Sequence, residues 1–239
     1  MWRTLRIALA ATVLLAASPV LHAADEQDDL DELQTKLGNE WVMVKNDKLR
    51  NIKTFAKQED GKRYRSFKVE ASLDGDVATG ARVMLDFENY GKWYWEVMDS
   101  KLLKRVSPTE YYMYMIHRAP GGLPNRDVIL HAVVEPQAKG KNYLLLRVKA
   151  VPDYIEQKPP LVRMPAEDMT VKFTPQKEGK VLIEAEGYVD PGGKVPTWAI
   201  NFIQRSAPYS ILVGMQRMLR TDEYRNARTP LPFPILPPE

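Results

Sequence analysis

The residues of this 239-residue chain that could do chemistry are few. Beyond the amino-terminal segment there are two histidines, His117 and His131, and no cysteine anywhere. His117 ends an extended stretch beside Arg118, and His131 sits between Leu130 and Ala132. Two imidazoles without carboxylates at ligand spacing do not make a zinc site, so both are read as strand residues. Asp153 and Glu156 are close in sequence but lie between prolines and are expected to face water. A Gly-x-Ser-x-Gly nucleophile elbow is missing, and the absent thiol excludes a cysteine nucleophile and any disulfide. Ala119-Pro-Gly-Gly-Leu-Pro124 is glycine-rich, yet no Lys-Ser/Thr follows it, so it is no phosphate cradle. The doublet Arg126-Asp127 is read as an ion pair that pins the loop 118–126, because a charge-assisted pair at a strand start can orient a loop without chemistry. The expectation is therefore no catalytic residue, no metal and no cofactor.

What remains is apolar and adaptable. Trp93, Trp95, Tyr112 and Tyr114 precede the Arg-Asp doublet, and Leu130 and Ala132 follow it on one strand face. Met164, Trp198, Phe202 and Met215 come later. Any one of these could simply fill a core, but methionine and aromatic side chains also mould themselves to a flexible apolar ligand. Arg147 joins this candidate set conditionally. In Leu-Leu-Leu-Arg-Val-Lys it needs a partner or a polar head group if it points inward, since an unpaired buried charge is too costly. If it shares the face of Lys149, solvent is its partner, and that reading is favoured.

The elements that must position these side chains follow from periodicity. Asp25 to Gly38 has leucines at helical spacing. Trp41–Lys45, Ile52–Lys57 and Ser66–Ser72 read as strands, the last alternating Phe67, Val69 and Ala71 against polar residues. Asp76–Phe87 returns to helical period. Leu102–Val106, Tyr111–His117, Asp127–Glu135, Asn142–Val151, Met169–Pro175 and Val181–Val189 are rich in β-branched and aromatic residues with turn-forming separators. After the turn Asp190-Pro-Gly-Gly193, a long amphipathic helix runs from Pro196 to Leu219, with Pro208 and Gly214 as expected weak points. The proline-rich tail, residues 229–239, is expected to be an extended strap. This order predicts an α+β fold in which a curved antiparallel sheet grips a long carboxy-terminal helix.

The amino terminus reads as an export signal. Arg3 and Arg6 precede the apolar run Ile7–Ala17, and small residues lead to Ala23 and an acidic start. The run is shorter than the roughly 20 apolar residues that span a bilayer, which argues against an uncleaved anchor. Cleavage after Ala23 and a periplasmic location are expected, and the missing cysteine suits an oxidising compartment. The full chain carries 34 basic and 31 acidic residues. Removing Arg3 and Arg6 leaves an excess of one positive charge, so basicity gives no reason to expect nucleic-acid binding.

Several local sequences together resemble one family. Pro120-Gly-Gly-Leu-Pro-Asn-Arg126-Asp127-Val128 resembles the loop and Arg-Asp entry to a central strand of the StAR-related lipid-transfer (START) domains. Val162-Arg163-Met164 resembles their short "VR" segment. Asp190–Gly193 with Val195-Pro-Thr-Trp198 and Asn201 resembles their lead into the closing helix, and Ala207-Pro208 its mid-point. Trp41 and Trp93 fit the same order, and the resemblance covers roughly residues 30–222. It implies a helix-grip fold holding one lipid or sterol in an apolar tunnel under the carboxy-terminal helix. Some animal sterol carriers of the family place an acid–base pair on adjacent strands facing the ligand hydroxyl. Neither Tyr111–Met115 nor the strand after Asp127 offers that pair, so the resemblance leaves the head group open. The resulting expectation is a monomeric periplasmic lipid carrier: signal 1–23, binding domain 24–228, tail 229–239, with transient membrane contact and no nucleic-acid partner. Its rivals are a hydrolase or cyclase using the same cavity, and an interaction module whose core is filled.

Overall fold

The computed structural model describes residues 38–236. The export signal and the helix expected over Asp25–Gly38 lie, up to residue 37, outside the described residues.

Three antiparallel strands come first: β1 (Val42–Asp47), β2 (Ile52–Lys57) and β3 (Ser66–Asp74). Helix α1 (Val77–Leu85) starts where Asp76 accepts a hydrogen bond from the Thr79 amide at 2.7 Å, a side-chain N-cap. A 3₁₀ turn, Phe87–Lys92, follows. The meander continues as β4 (Val97–Ser107), β5 (Glu110–His117), β6 (Arg126–Glu135) and β7 (Leu144–Ala150). After the two-residue β8 (Val162–Arg163) come β9 (Ala166–Gln176), β10 (Lys180–Asp190), the long helix α2 (Thr197–Leu219) and the short α3 (Asp222–Arg225).

The strands form one sheet in the order β1-β2-β3-β10-β9-β7-β6-β5-β4, antiparallel along its length, with β8 added in parallel to β6. Helix α2 packs on β2, β3 and α1. This is the helix-grip arrangement read from the sequence. The expected strands fall within or close to the observed ones. The exception is β8, because two residues carry no periodicity to detect.

Register decides which side chains meet inside. Met113 pairs with Leu130 and Tyr111 with Ala132 across β5 and β6. Ala132 pairs with Val148, and Val148 with Met169 on β9. These inward residues and buried side chains of α1 and α2 make one apolar core that includes Leu73, Val83, Leu212, Met215 and Met218.

Helix α2 departs from the expected uniform inward face. Its carboxy-terminal half buries Leu212, Met215, Met218 and Leu219, whereas Trp198 and Phe202 near its start are 51% and 48% exposed. The helix runs through Pro208, which has no amide hydrogen to donate to the Gln204 carbonyl. Gly214 is a site of close approach: a Cβ there would collide with the Trp93 backbone.

Candidate functional site

The site is built from alternation. On β5 the odd residues Tyr111, Met113 and Met115 face inward; on β6 Leu130, Ala132 and Val134 do; on β7 Leu144, Leu146 and Val148. Met169 and Phe173 on β9 complete the sheet side. Opposite them stand Ala81, Met84 and Leu85 of α1, Phe87 and Tyr90 of the 3₁₀ turn, Tyr94, and Phe233 from the tail. Between these side chains lies an almost wholly apolar cavity of about 40 Å³, within an atom-free region of about 600 Å³ that includes its opening. The smaller volume is the free interior space, and the larger includes open solvent. Four flexible methionines, Met84, Met113, Met115 and Met169, can make more room by changing rotamers.

Of the expected lining residues, Leu130 and Ala132 border this cavity. Trp93 is buried beside Tyr90 and Tyr94, and Met164 and Met215 are buried elsewhere in the core. Tyr112 and Tyr114 lie on the opposite sheet face from Tyr111, Met113 and Met115. Tyr112 stacks on His131 and on Tyr154, with ring centroids 4.7 and 4.2 Å away. Tyr114 donates to Asp127 at 3.0 Å. A one-residue choice of face is enough to exchange lining for outside. Arg147 faces outward and pairs with Glu135 at 2.6 Å. No residue of α2 lines this cavity, although the expected tunnel lay beneath that helix. Trp198 and Phe202 instead sit at the protein surface, Phe202 against Trp95 with centroids 5.8 Å apart. Trp198 covers Gly121, whose φ of 61° and lack of a Cβ allow the indole to lie on the loop.

The Arg126-Asp127 doublet is not an internal ion pair. Neighbours on a strand point to opposite faces, and each finds its own partners. Arg126 donates to the carbonyls of Pro124 and Pro191. Asp127, fully buried, receives a fork from Arg163: Nε to Oδ1 at 3.0 Å and Nη2 to Oδ2 at 2.9 Å. The Arg163 guanidinium also donates to the carbonyls of Pro152, Ile155 and Glu156, which fastens the loop after β7 over the outer sheet face. Nothing local in the sequence joins residues 36 apart.

A second polar group lies on the inner side. Glu167 precedes Met169 on the inward face of β9, and His117 follows Met115 on the inward face of β5. The Tyr94 hydroxyl donates to Glu167 Oε1 at 2.9 Å, and its oxygen is 3.9 Å from the Met169 sulfur. Glu167 Oε2 stands 3.9 Å from His117 Nε2. Both of those atoms are buried without a hydrogen-bond partner. Burial pushes the Glu167 carboxyl above the ordinary carboxylate range, against the opposing pulls of His117 and Tyr94. Burial likewise lifts the Tyr94 hydroxyl well above its usual value, so it stays a donor. Sequence reasoning missed Glu167 because the strand was read from Met169 onward. The signal was there: Glu167, Met169, Val171 and Phe173 alternate without a break.

Comparison with known proteins bears on this architecture. The family model described as START domain matches residues 22–220. A STAR-related lipid transfer protein from Xanthomonas axonopodis superposes with a TM-score of 0.69 at 28% identity, covering 76% of this chain and 99% of that one. Human STARD10 gives 0.64 at 20% identity, covering 80% and 78%. An uncharacterised protein of Pseudomonas aeruginosa is 26% identical over 180 residues, which is 75% of this chain and 87% of that protein. A fold of this kind supports the binding of hydrophobic ligands in general. With the sheet, the closing helix and the family match all agreeing over the same residues, the chain belongs to the START domain family.

Proposed function

We propose that this protein is an exported, periplasmic lipid carrier that takes up one hydrophobic ligand between the sheet and α1 and passes it between membranes. The observation that carries the reading is the apolar cavity walled by β5, β6, β7, β9 and α1. Its free space of about 40 Å³ is far below the roughly 300 Å³ or more of an ordinary ligand pocket. Uptake therefore requires the methionines to move and the wall to swell around the ligand. Each 100 Å² of apolar ligand surface removed from water supplies about 2.5 kcal/mol for that rearrangement.

The cavity wall is aliphatic side chain, methionine and aromatic ring, which suits holding and releasing rather than bond making. The name of the Xanthomonas protein, a lipid transfer protein, points the same way. Trp198 and Phe202, exposed together at the start of α2, and Trp95 beside them form an apolar tip that suits transient contact with a bilayer. Native mass spectrometry of the protein purified from a periplasmic fraction tests the whole reading. The expected result is a bound species of lipid mass that solvent extraction recovers. Protein that fractionates with the cytoplasm, or that arrives empty and takes up no lipid from vesicles, overturns it.

A further inference from the structure

Glu167 Oε2 and His117 Nε2 are buried without hydrogen-bond partners, 3.9 Å apart, beside the cavity. We infer that Tyr94, Glu167 and His117 form a recognition site for a lipid whose head is a single uncharged hydroxyl. This rests on the carrier reading above and deepens it.

The hydrogen-bond directions lead to that choice. The Trp95 carbonyl, 3.1 Å from His117 Nδ1, can only accept, so Nδ1 carries a proton and donates. In the uncharged ring Nε2 is then an acceptor in need of a donor. Glu167 Oε1 already accepts from Tyr94. When the carboxyl is protonated, Oε2–H is a donor in need of an acceptor. One hydroxyl supplies both needs: its oxygen accepts from Glu167 Oε2 and its proton goes to His117 Nε2. The chain of donors then runs unbroken from Tyr94 to the Trp95 carbonyl. At a separation of 3.9 Å the two atoms are too far apart to bond each other, but an oxygen beside the gap reaches both at about 2.8 Å.

Position agrees with direction. His117 and Glu167 continue the inward faces of β5 and β9 one step past Met115 and Met169, both of which line the cavity. Tyr94 lines it too, and its hydroxyl touches the Met169 sulfur. A rotamer change of Met169 opens the apolar cavity onto the pair. A ligand seated this way lays its chain among the methionines and brings its head to the end nearest Trp95, Phe202 and the loop 119–125. A carboxylate or phosphate dianion head has no proton to give the uncharged His117 ring and brings negative charge beside the Glu167 carboxyl, which disfavours it. A bare hydrocarbon leaves both polar atoms unsatisfied.

Uptake of radiolabelled probes from phosphatidylcholine vesicles tests this with the full-length protein, using hexadecanol, hexadecanoate and hexadecane. Wild type is expected to take up hexadecanol about tenfold better than either other probe, since each of the others leaves buried polar atoms unmet. Glu167→Leu and His117→Phe should each bring hexadecanol down to the level of hexadecane. Glu167→Gln, which keeps an acceptor for Tyr94 and a donor for the ligand, should retain the preference. Hexadecane uptake and the thermal midpoint report whether each variant is folded. If wild type takes up the alcohol and the alkane equally, or the preference survives in Glu167→Leu and His117→Phe, the pair holds only a water and the inference fails while the carrier reading stands. If wild type takes up no probe at all, both fail together.

Discussion

Asp127 and Arg163 illustrate how much one buried pair can be asked to hold. Each is almost completely withdrawn from water, and the guanidinium spends its remaining donors on three carbonyls of the loop 152–156. Removing one charge strands the other, which costs about 3–5 kcal/mol. Asp127→Ala should therefore lower the unfolding free energy in urea by about that amount, while Asp127→Leu with Arg163→Met recovers much of it. A surface pair behaves differently with pH. Hydrogen bonds from Tyr209 and Arg50 hold the Asp47 carboxyl down at about 2, and those from Ser66 and Lys62 do the same for Glu59. Depressed values mean stability that is present above the unfolded value near 4 and lost as pH falls towards about 2. Glu167, raised by burial, has the opposite sign: its contribution is present at low pH and lost as pH rises through its elevated value. The thermal midpoint should fall on acidification from about pH 5 to 2, and Asp47→Asn should flatten that fall.

At the scale of elements, strand positions were legible and strand faces were not. β5 reads Glu-Tyr-Tyr-Met-Tyr-Met-Ile-His and is apolar on both sides. One side meets the cavity; the other is roofed by the loop that Arg163 fastens, so Tyr114 is buried there too. With both faces covered, alternation loses its contrast. β6 escaped this difficulty because His131 and Glu135 mark its outer side, which leaves Leu130 and Ala132 on the face that borders the cavity. Helix α2 shows the converse. Its apolar period was real, but near its start the bulky residues are left in solvent while Ala199 is buried. Replacing both Trp198 and Phe202 with serine should leave the melting temperature nearly unchanged and sharply reduce co-sedimentation with vesicles. Gly214→Ala belongs to the same element with the opposite outcome. Its new methyl meets the Trp93 backbone, and overpacking of this kind costs about 1–3 kcal/mol, readable in a denaturant titration.

At the scale of the whole molecule, the architecture was readable because turns, helical period and β-rich runs each appeared in their proper order. The cavity was not, because its wall is assembled from four strands, a helix, a 3₁₀ turn and the tail. Phe233 is the least foreseeable contributor. It lies in the proline-rich strap, 6% exposed, among the cavity-lining side chains. The strap is held by Arg82, which donates to the Thr229 carbonyl, and by the Leu236 amide, which donates to Gln137 at 3.0 Å. Phe233→Ala should cost about 3–5 kcal/mol in thermal or chemical unfolding, and long-chain ligands should restore part of the lost stability by filling the gap.

The strap also sets a schedule. Phe233 follows every strand and helix of the fold, so the chamber that receives a ligand is walled only when the strap docks. Strands that have paired and a helix that has closed still leave a breach until Phe233 takes its place. Undocking of the strap thus opens the chamber while every strand pairing stays in place.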